Sequence, residues 1–212
     1  MTIDWNPLRT ELTLWRNQDL PLEIWWRDDD AVTPTPALDR LTTLAESLAL
    51  PVHIAVIPKM AAPSLPLFTS DRDMIVPLVH GWQHVSHAPQ GRKNAEFGHP
   101  REGADDELTK ALDRMRDLFD KRQAAPGLVQ INTHIDPIFW RGDRGLAPSE
   151  DQIAHIVRLL QDRRFGKSDA TEPLGFLSHH LVHNADIWNF TTTCLKIFLD
   201  AGALPANLRE LP

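Results

Sequence analysis

The sequence has one cysteine, Cys194, so no disulfide framework and no thiolate metal cluster can form within a single chain. It lies in FTTTCLKIFL, a helically periodic run, and reads as an inert core thiol. No apolar run approaches the ~20 residues of a membrane span. The start, MTIDWNPLRTELTLW, lacks the basic beginning and apolar stretch of a signal peptide, so a soluble, cytoplasmic protein without membrane association is expected. An excess of positive charge is missing too: the net charge is −7, which disfavours nucleic acid as a partner. Internal repeats, low-complexity segments and a strong domain boundary are absent. The 212 residues, 42% of them hydrophobic, therefore suggest a single domain over 1–212 with a sizeable core.

What is present is an alternation of short apolar runs and helical patterns. Residues 22–27, LEIWWR, suggest a strand that ends at the acidic triplet 28–30. Thr35 can cap a helix that has Pro36 in its first position. Residues 51–58 and 74–79 suggest further strands, the second weakened by Pro77, which removes a ladder donor. A helix is predicted over 104–122, from Leu108, Leu112, Met115 and Phe119, and a strand over 127–131. Ser149 and Gln152 have capping-box spacing at the start of another helix. GFLSHH, 175–180, suggests a late strand, and DIWNFTTTCLKIFLD a last helix burying Ile187, Phe190, Cys194 and Ile197. The alternation predicts an α/β fold with a mainly parallel sheet. Ligands in such folds sit beyond the C-terminal strand ends, and three polar clusters fall there: DDD, HGWQH and SHH.

Those clusters carry chemistry. His80 and His84 are four apart and can converge on one helical turn or in a tight turn. Two imidazoles suit Zn²⁺ or another borderline divalent metal, and one carboxylate from residues 28–30 would complete a three-ligand set. A surface histidine pair and a solvated acidic turn are the plainer alternatives. HExxH chemistry is excluded, because Gly81 stands where the glutamate would be. Neighbours in an extended chain point to opposite sides, so adjacent aspartates can serve different roles if the chain bends. A metal lowers the pKa of its water, and a nearby carboxylate can accept the proton. Of His179, His180 and His183, His179 is the candidate general acid, with Asp186 either orienting an imidazole or capping a helix. His134, Asp136 and Trp140 either line the cleft or build a turn before Pro137. His53 suits a hydrogen-bonded core role, His99 a loop, His87 a loop or a place behind the ligands, and His155 a helix edge.

Taken together, these residues resemble the polysaccharide deacetylases, metal-dependent carbohydrate esterases with an irregular (β/α) barrel. Their first motif pairs a general-base aspartate with a metal-ligand aspartate at a strand end. RDDDA offers two registers: Asp29 as base with Asp30 as ligand is preferred, and Asp28 with Asp29 stays open. HGWQH matches the family's two metal histidines at His80 and His84, with Gly81 replacing the usual Ser or Thr. GFLSH matches its general-acid motif at His179. The resemblance implies Zn²⁺ or a similar metal, and hydrolysis of an N-acetylated sugar or glycan precursor. A small non-sugar amide or ester is the alternative substrate, and a catalytically impaired metal-binding homologue the alternative role. Trp26, Trp82 or Trp140 could stack on a sugar ring. The family's Arg/Pro-rich mid-chain segment, whose arginine positions the base, has no counterpart in DKRQAAPGLVQINTHIDP. The barrel is therefore expected to be incomplete, or completed by a second copy as a homodimer. Loss of that arginine would also weaken catalysis.

Overall fold

A computed structural model describes residues 3–119 and 131–210. Its elements in chain order are α1 (Asn6–Asn17), β1 (Glu23–Ala31), α2 (Pro36–Leu48), β2 (Val52–Val56), α3 (Ser64–Thr69) and β3 (Ile75–Val79). They continue with α4 (Ala104–Phe119), α5 (Ser149–Arg164), β4 (Leu174–Ser178), α6 (Ala185–Asp200), β5 (Leu204–Pro205) and a 3₁₀ turn, Leu208–Glu210. The strands form one parallel sheet in the order β3-β2-β1-β4, with β5 pairing the start of β1. This is the expected α/β class. Among the described residues the sheet stays open.

Local chemistry accounts for most of the elements. Thr35 caps α2 by accepting from the Leu38 amide, with Pro36 beginning the helix. Pro77 is tolerated because β3 is the outer strand of this order and pairs β2 only. Asn184 caps α6 by accepting from the Ile187 amide. Cys194 is fully buried, and burial pushes its thiol pKa up, as an inert core thiol requires.

Three expectations need correction. The acidic triplet lies inside β1 rather than after it, because pairing with β2 and β4 carries the strand through residue 28 and on to Ala31. The predicted capping box of α5 does not form: the cap position is Pro148, and Gln152 Nε2 donates instead to the Asp136 carbonyl. In α4 the buried stripe is Ala111, Met115 and Phe119, while Leu108 is exposed. Helices α1 and α3 and the short β5 have no counterpart in the sequence reading. The strand expected over 127–131, with the end of the helix expected to 122, falls largely outside the described residues.

The core lies on both faces of β1. Trp26, Phe176, Phe190 and Phe198 are fully buried, each phenylalanine contributing roughly 1.5–3 kcal/mol. Glu11 of α1 and Arg164 of α5 form a buried two-point contact that docks these helices (2.7 and 3.2 Å). Beside β4, residues 132–135 approach so closely that a Cβ on Gly175 would meet the Asn132 carbonyl, the Trp25 indole nitrogen and Thr133 Cα. Glycine at 175 is what lets this segment bridge to Phe176 through Ile135.

Candidate metal and catalytic site

The site begins with the alternation of β1. Residues two apart share a face of the strand, so Asp28 goes with Trp26, and Asp29 with Arg27. Asp28 is fully buried and accepts from the Ser178 hydroxyl (2.6 Å), the His180 amide (3.0 Å) and His180 Nδ1 (2.5 Å). The Trp26 indole donates to the same Ser178 hydroxyl at 2.8 Å. Asp29 faces the other way, its Oδ1 2.5 Å from Arg27 Nε. The register shifts between Asp28 and Ala31, and Asp30 adopts a left-handed φ of 72°. That bend turns Asp30 out of the alternation and toward the loop that follows β3.

This loop carries both histidines. Gly81 and His84 have φ of 64° and 58°, so residues 80–84 form a tight left-handed turn rather than a helical one. The turned amides of Trp82, Gln83 and His84 all donate to the Glu96 carboxylate (3.0, 2.9 and 3.1 Å). A Cβ at position 81 would collide with Glu96 Oε2, which explains glycine there. His80 Nε2 then lies 3.3 Å and His84 Nδ1 3.4 Å from Asp30 Oδ1. One ligand atom from each of Asp30, His80 and His84 lies within 4.8 Å of the others. Asp30 Oδ1 and His80 Nε2 are buried without a well-formed hydrogen bond. Two buried polar atoms without a partner, beside a third nitrogen, fit a divalent cation, and a two-imidazole, one-carboxylate set suits a transition metal. The neighbouring His80 imidazole lowers the Asp30 pKa, against burial, which raises it; His84 and His179 add to the lowering.

Opposite the turn, His179 follows β4. Its Nε2 lies 4.0 Å from Asp29 Oδ2, and the same oxygen lies 3.8 Å from His80 Nε2. Asp29 Oδ2 is thus shared between His80 and His179. Trp140, 42% exposed, meets the His179 ring edge-on, centroids 4.7 Å apart. Asp136 holds it there: one oxygen accepts from the Ile138 amide (2.9 Å), the other from the Trp140 indole (2.7 Å). The turn and the cleft wall are one device. Trp26, by contrast, is sealed in the core and presents no face to a ligand.

Comparison with solved structures places this geometry in a known fold. A CE4 esterase from Streptococcus mutans matches at 11% identity, covering 93% of this chain and 89% of that one, with a TM-score of 0.58. A polysaccharide deacetylase from Bacillus cereus matches at 13% identity over 90% and 94%, TM-score 0.57. A family 4 carbohydrate esterase from Bacillus anthracis matches at 13% identity over 90% and 82%, TM-score 0.52. The fold is that of the family 4 carbohydrate esterases. At these identities the likeness concerns the fold. No family model matches the sequence, and no curated protein matches it significantly.

On this esterase fold the remaining histidines do other work. His53 is wholly buried, its Nδ1 on the Trp26 carbonyl and its Nε2 accepting from the Leu208 amide. Burial lowers its pKa to about 4. His134 turns away from the cluster to Gly175, Arg163 and Glu172, and His155 meets the His134 carbonyl. His87 is an exposed and His99 a half-buried loop residue. His183 Nε2 accepts from the His179 amide and packs on Trp188; burial lowers its pKa to about 4. Asp186 is an exposed first-turn residue of α6, whose cap is Asn184. Sequence reasoning missed Arg27, Glu96 and the Asp28–His180 pair. Only Arg27 left a trace, through its period-two spacing from Asp29.

Proposed function

We propose that the protein is a metal-dependent hydrolase that removes the acetyl group from an N-acetylated sugar or glycan precursor. The observation that carries this reading is the convergence of Asp30, His80 and His84, two of whose facing atoms are buried without a partner, directly beside Asp29 and His179. Solved proteins of the same fold include a polysaccharide deacetylase and a deacetylase with substrate, which favours this chemistry over other hydrolyses. Asp30, His80 and His84 would hold the metal, zinc by preference for the donor set, and it would supply Lewis-acid polarisation of water and of the acetyl carbonyl.

The chain's own residues do the rest. Asp29 accepts the proton of the attacking water as the C–O bond forms. His179 Nε2 gives a proton to the amide nitrogen as the C–N bond breaks, releasing acetate and the sugar amine. Trp140, exposed and held by Asp136, offers a flat apolar face for a sugar ring beside that proton donor.

The test is acetate release by zinc-loaded protein from a panel of N-acetylated sugars, oligosaccharides and small non-sugar amides. Release from sugars, abolished together with metal content by His80→Ala, is expected. Release only from small amides would move the substrate class. No release across the panel by metal-loaded protein would overturn the catalytic reading.

A further inference from the structure

Arg27 is a charged group beside the candidate site that the proposed reaction leaves without a role. It is half-buried on β1 and shares a strand face with Asp29. Its Nε lies 2.5 Å from Asp29 Oδ1, and its Nη2 lies 3.1 Å from His80 Nδ1. One guanidinium therefore touches both the candidate base and a candidate metal ligand, through different nitrogens. Its planar fork fixes the carboxylate's direction in a way a lysine cannot.

The second contact has a chemical consequence. A guanidinium only donates, so His80 Nδ1 must be the acceptor. In a neutral imidazole the ring proton then sits on Nε2, the atom that faces Asp30. A ligating Nε2 needs its lone pair, with the proton moved to Nδ1. The Arg27–His80 contact and ligation by Nε2 therefore oppose each other, and the guanidinium's positive charge adds to the opposition.

We propose that Arg27 is the positioning residue of this site: it aims the Asp29 carboxylate, and its contact with His80 holds metal affinity down. The proposal rests on the deacetylase reading for its catalytic half only. Arg27 touches no substrate atom. It acts through Asp29, at the cost of a weaker grip on the cation.

The test pairs two readouts of opposite sign. Arg27→Met keeps the length of the side chain and removes the charge and the donors. Zinc affinity, measured by chelator competition, should tighten about tenfold. In the same variant kcat should fall about 10- to 100-fold with KM nearly unchanged, as for a misplaced base. In an Asp29→Asn background, adding Arg27→Met should cost nothing more in kcat. Arg27→Lys should recover part of kcat. Zinc binding that is unchanged or weaker in Arg27→Met overturns the affinity half. An unchanged kcat, or a further loss on top of Asp29→Asn, overturns the positioning half. A wild-type protein that binds zinc but hydrolyses nothing sinks the deacetylase reading and the positioning half with it. The zinc measurement still decides the Arg27–His80 contact.

Discussion

Three consecutive aspartates meet three different environments. Asp28 closes a buried network with Ser178 and His180, Asp29 pairs with Arg27, and Asp30 meets the imidazole pair. Substitution should separate them. Asp29→Asn is expected to keep zinc, by metal analysis of the purified protein, while kcat drops about 10²- to 10⁴-fold. Asp28→Asn should also keep zinc, yet lower stability by about 2 kcal/mol, because an amide nitrogen would face a donor in place of a carboxylate oxygen. Denaturant unfolding measures that loss. Zinc loss in Asp29→Asn with retention in Asp30→Asn would reverse the register. That the triplet is a candidate for a site was legible from its place at the C-terminal end of an aromatic strand. Which aspartate does what was not, because the answer depends on one left-handed φ at Asp30.

At the scale of elements, the loop after β3 decides how two histidines converge. The spacing HxxxH allows a helical turn or a tight one. Glu96, twelve residues beyond His84, selects the tight turn by accepting three of its amides. Residues that orient ligands are worth about 10- to 100-fold in metal affinity, so Glu96→Gln should weaken zinc binding by that order. Chelator competition at fixed pH would read it, and an unchanged affinity would mean the turn holds itself. Gly81→Ser should weaken zinc binding in the same way, since its side chain would displace the Glu96 carboxylate. Neither effect could be read from HGWQH itself. The residue that folds the turn lies far along the chain, and its partners are backbone amides, which have no sequence signature.

For the whole molecule, buried histidines couple stability to pH. His53 uses Nδ1 as donor to β1 and Nε2 as acceptor for the Leu208 amide, so it ties the C-terminal segment to the sheet in its neutral form. Its pKa is lowered from 6.5 to about 4, first by burial and then by the charge of Arg209, against the Trp26 carbonyl, which raises it. The unfolded chain therefore binds the proton more readily than the folded one. The stabilisation is complete above about pH 6.5 and is lost as pH falls toward 4, by roughly 3 kcal/mol at most for His53. His183 shifts in the same direction for the same first reason, burial. Urea unfolding at pH 7 and pH 5 should give a clearly lower midpoint at pH 5, and His53→Gln should flatten part of that slope. A pH-independent midpoint would contradict the buried-neutral assignment. Metal should stabilise the fold in its turn, because a ligand that binds only the folded form at 100 times its Kd adds about 2.7 kcal/mol. A rise in Tm on adding zinc, absent in His80→Ala, checks this.

The sequence by itself determined the α/β class, the parallel strand runs and the assembly of acidic and histidine clusters at strand ends. Hydrophobic periodicity and turn chemistry are local, and they act through residues a few positions apart. It also determined the inert Cys194 and the core role of His53, since both sit inside apolar periodic runs. Only the tertiary structure decided which aspartate meets the histidines, why Gly81 is glycine and what holds Asp29. The first two answers are contacts between separate segments, Asp30 with His80 and His84 and Glu96 with the 82–84 amides; the third, Arg27 with Asp29, is close in sequence but is made only once the strand puts both on one face. By resemblance, the sequence also leaves the family's segment with its positioning arginine without a counterpart in DKRQAAPGLVQINTHIDP, a stretch that lies largely outside the described residues. The fold places Arg27 of β1 against the Asp29 carboxylate, because residues two apart on a strand share a face.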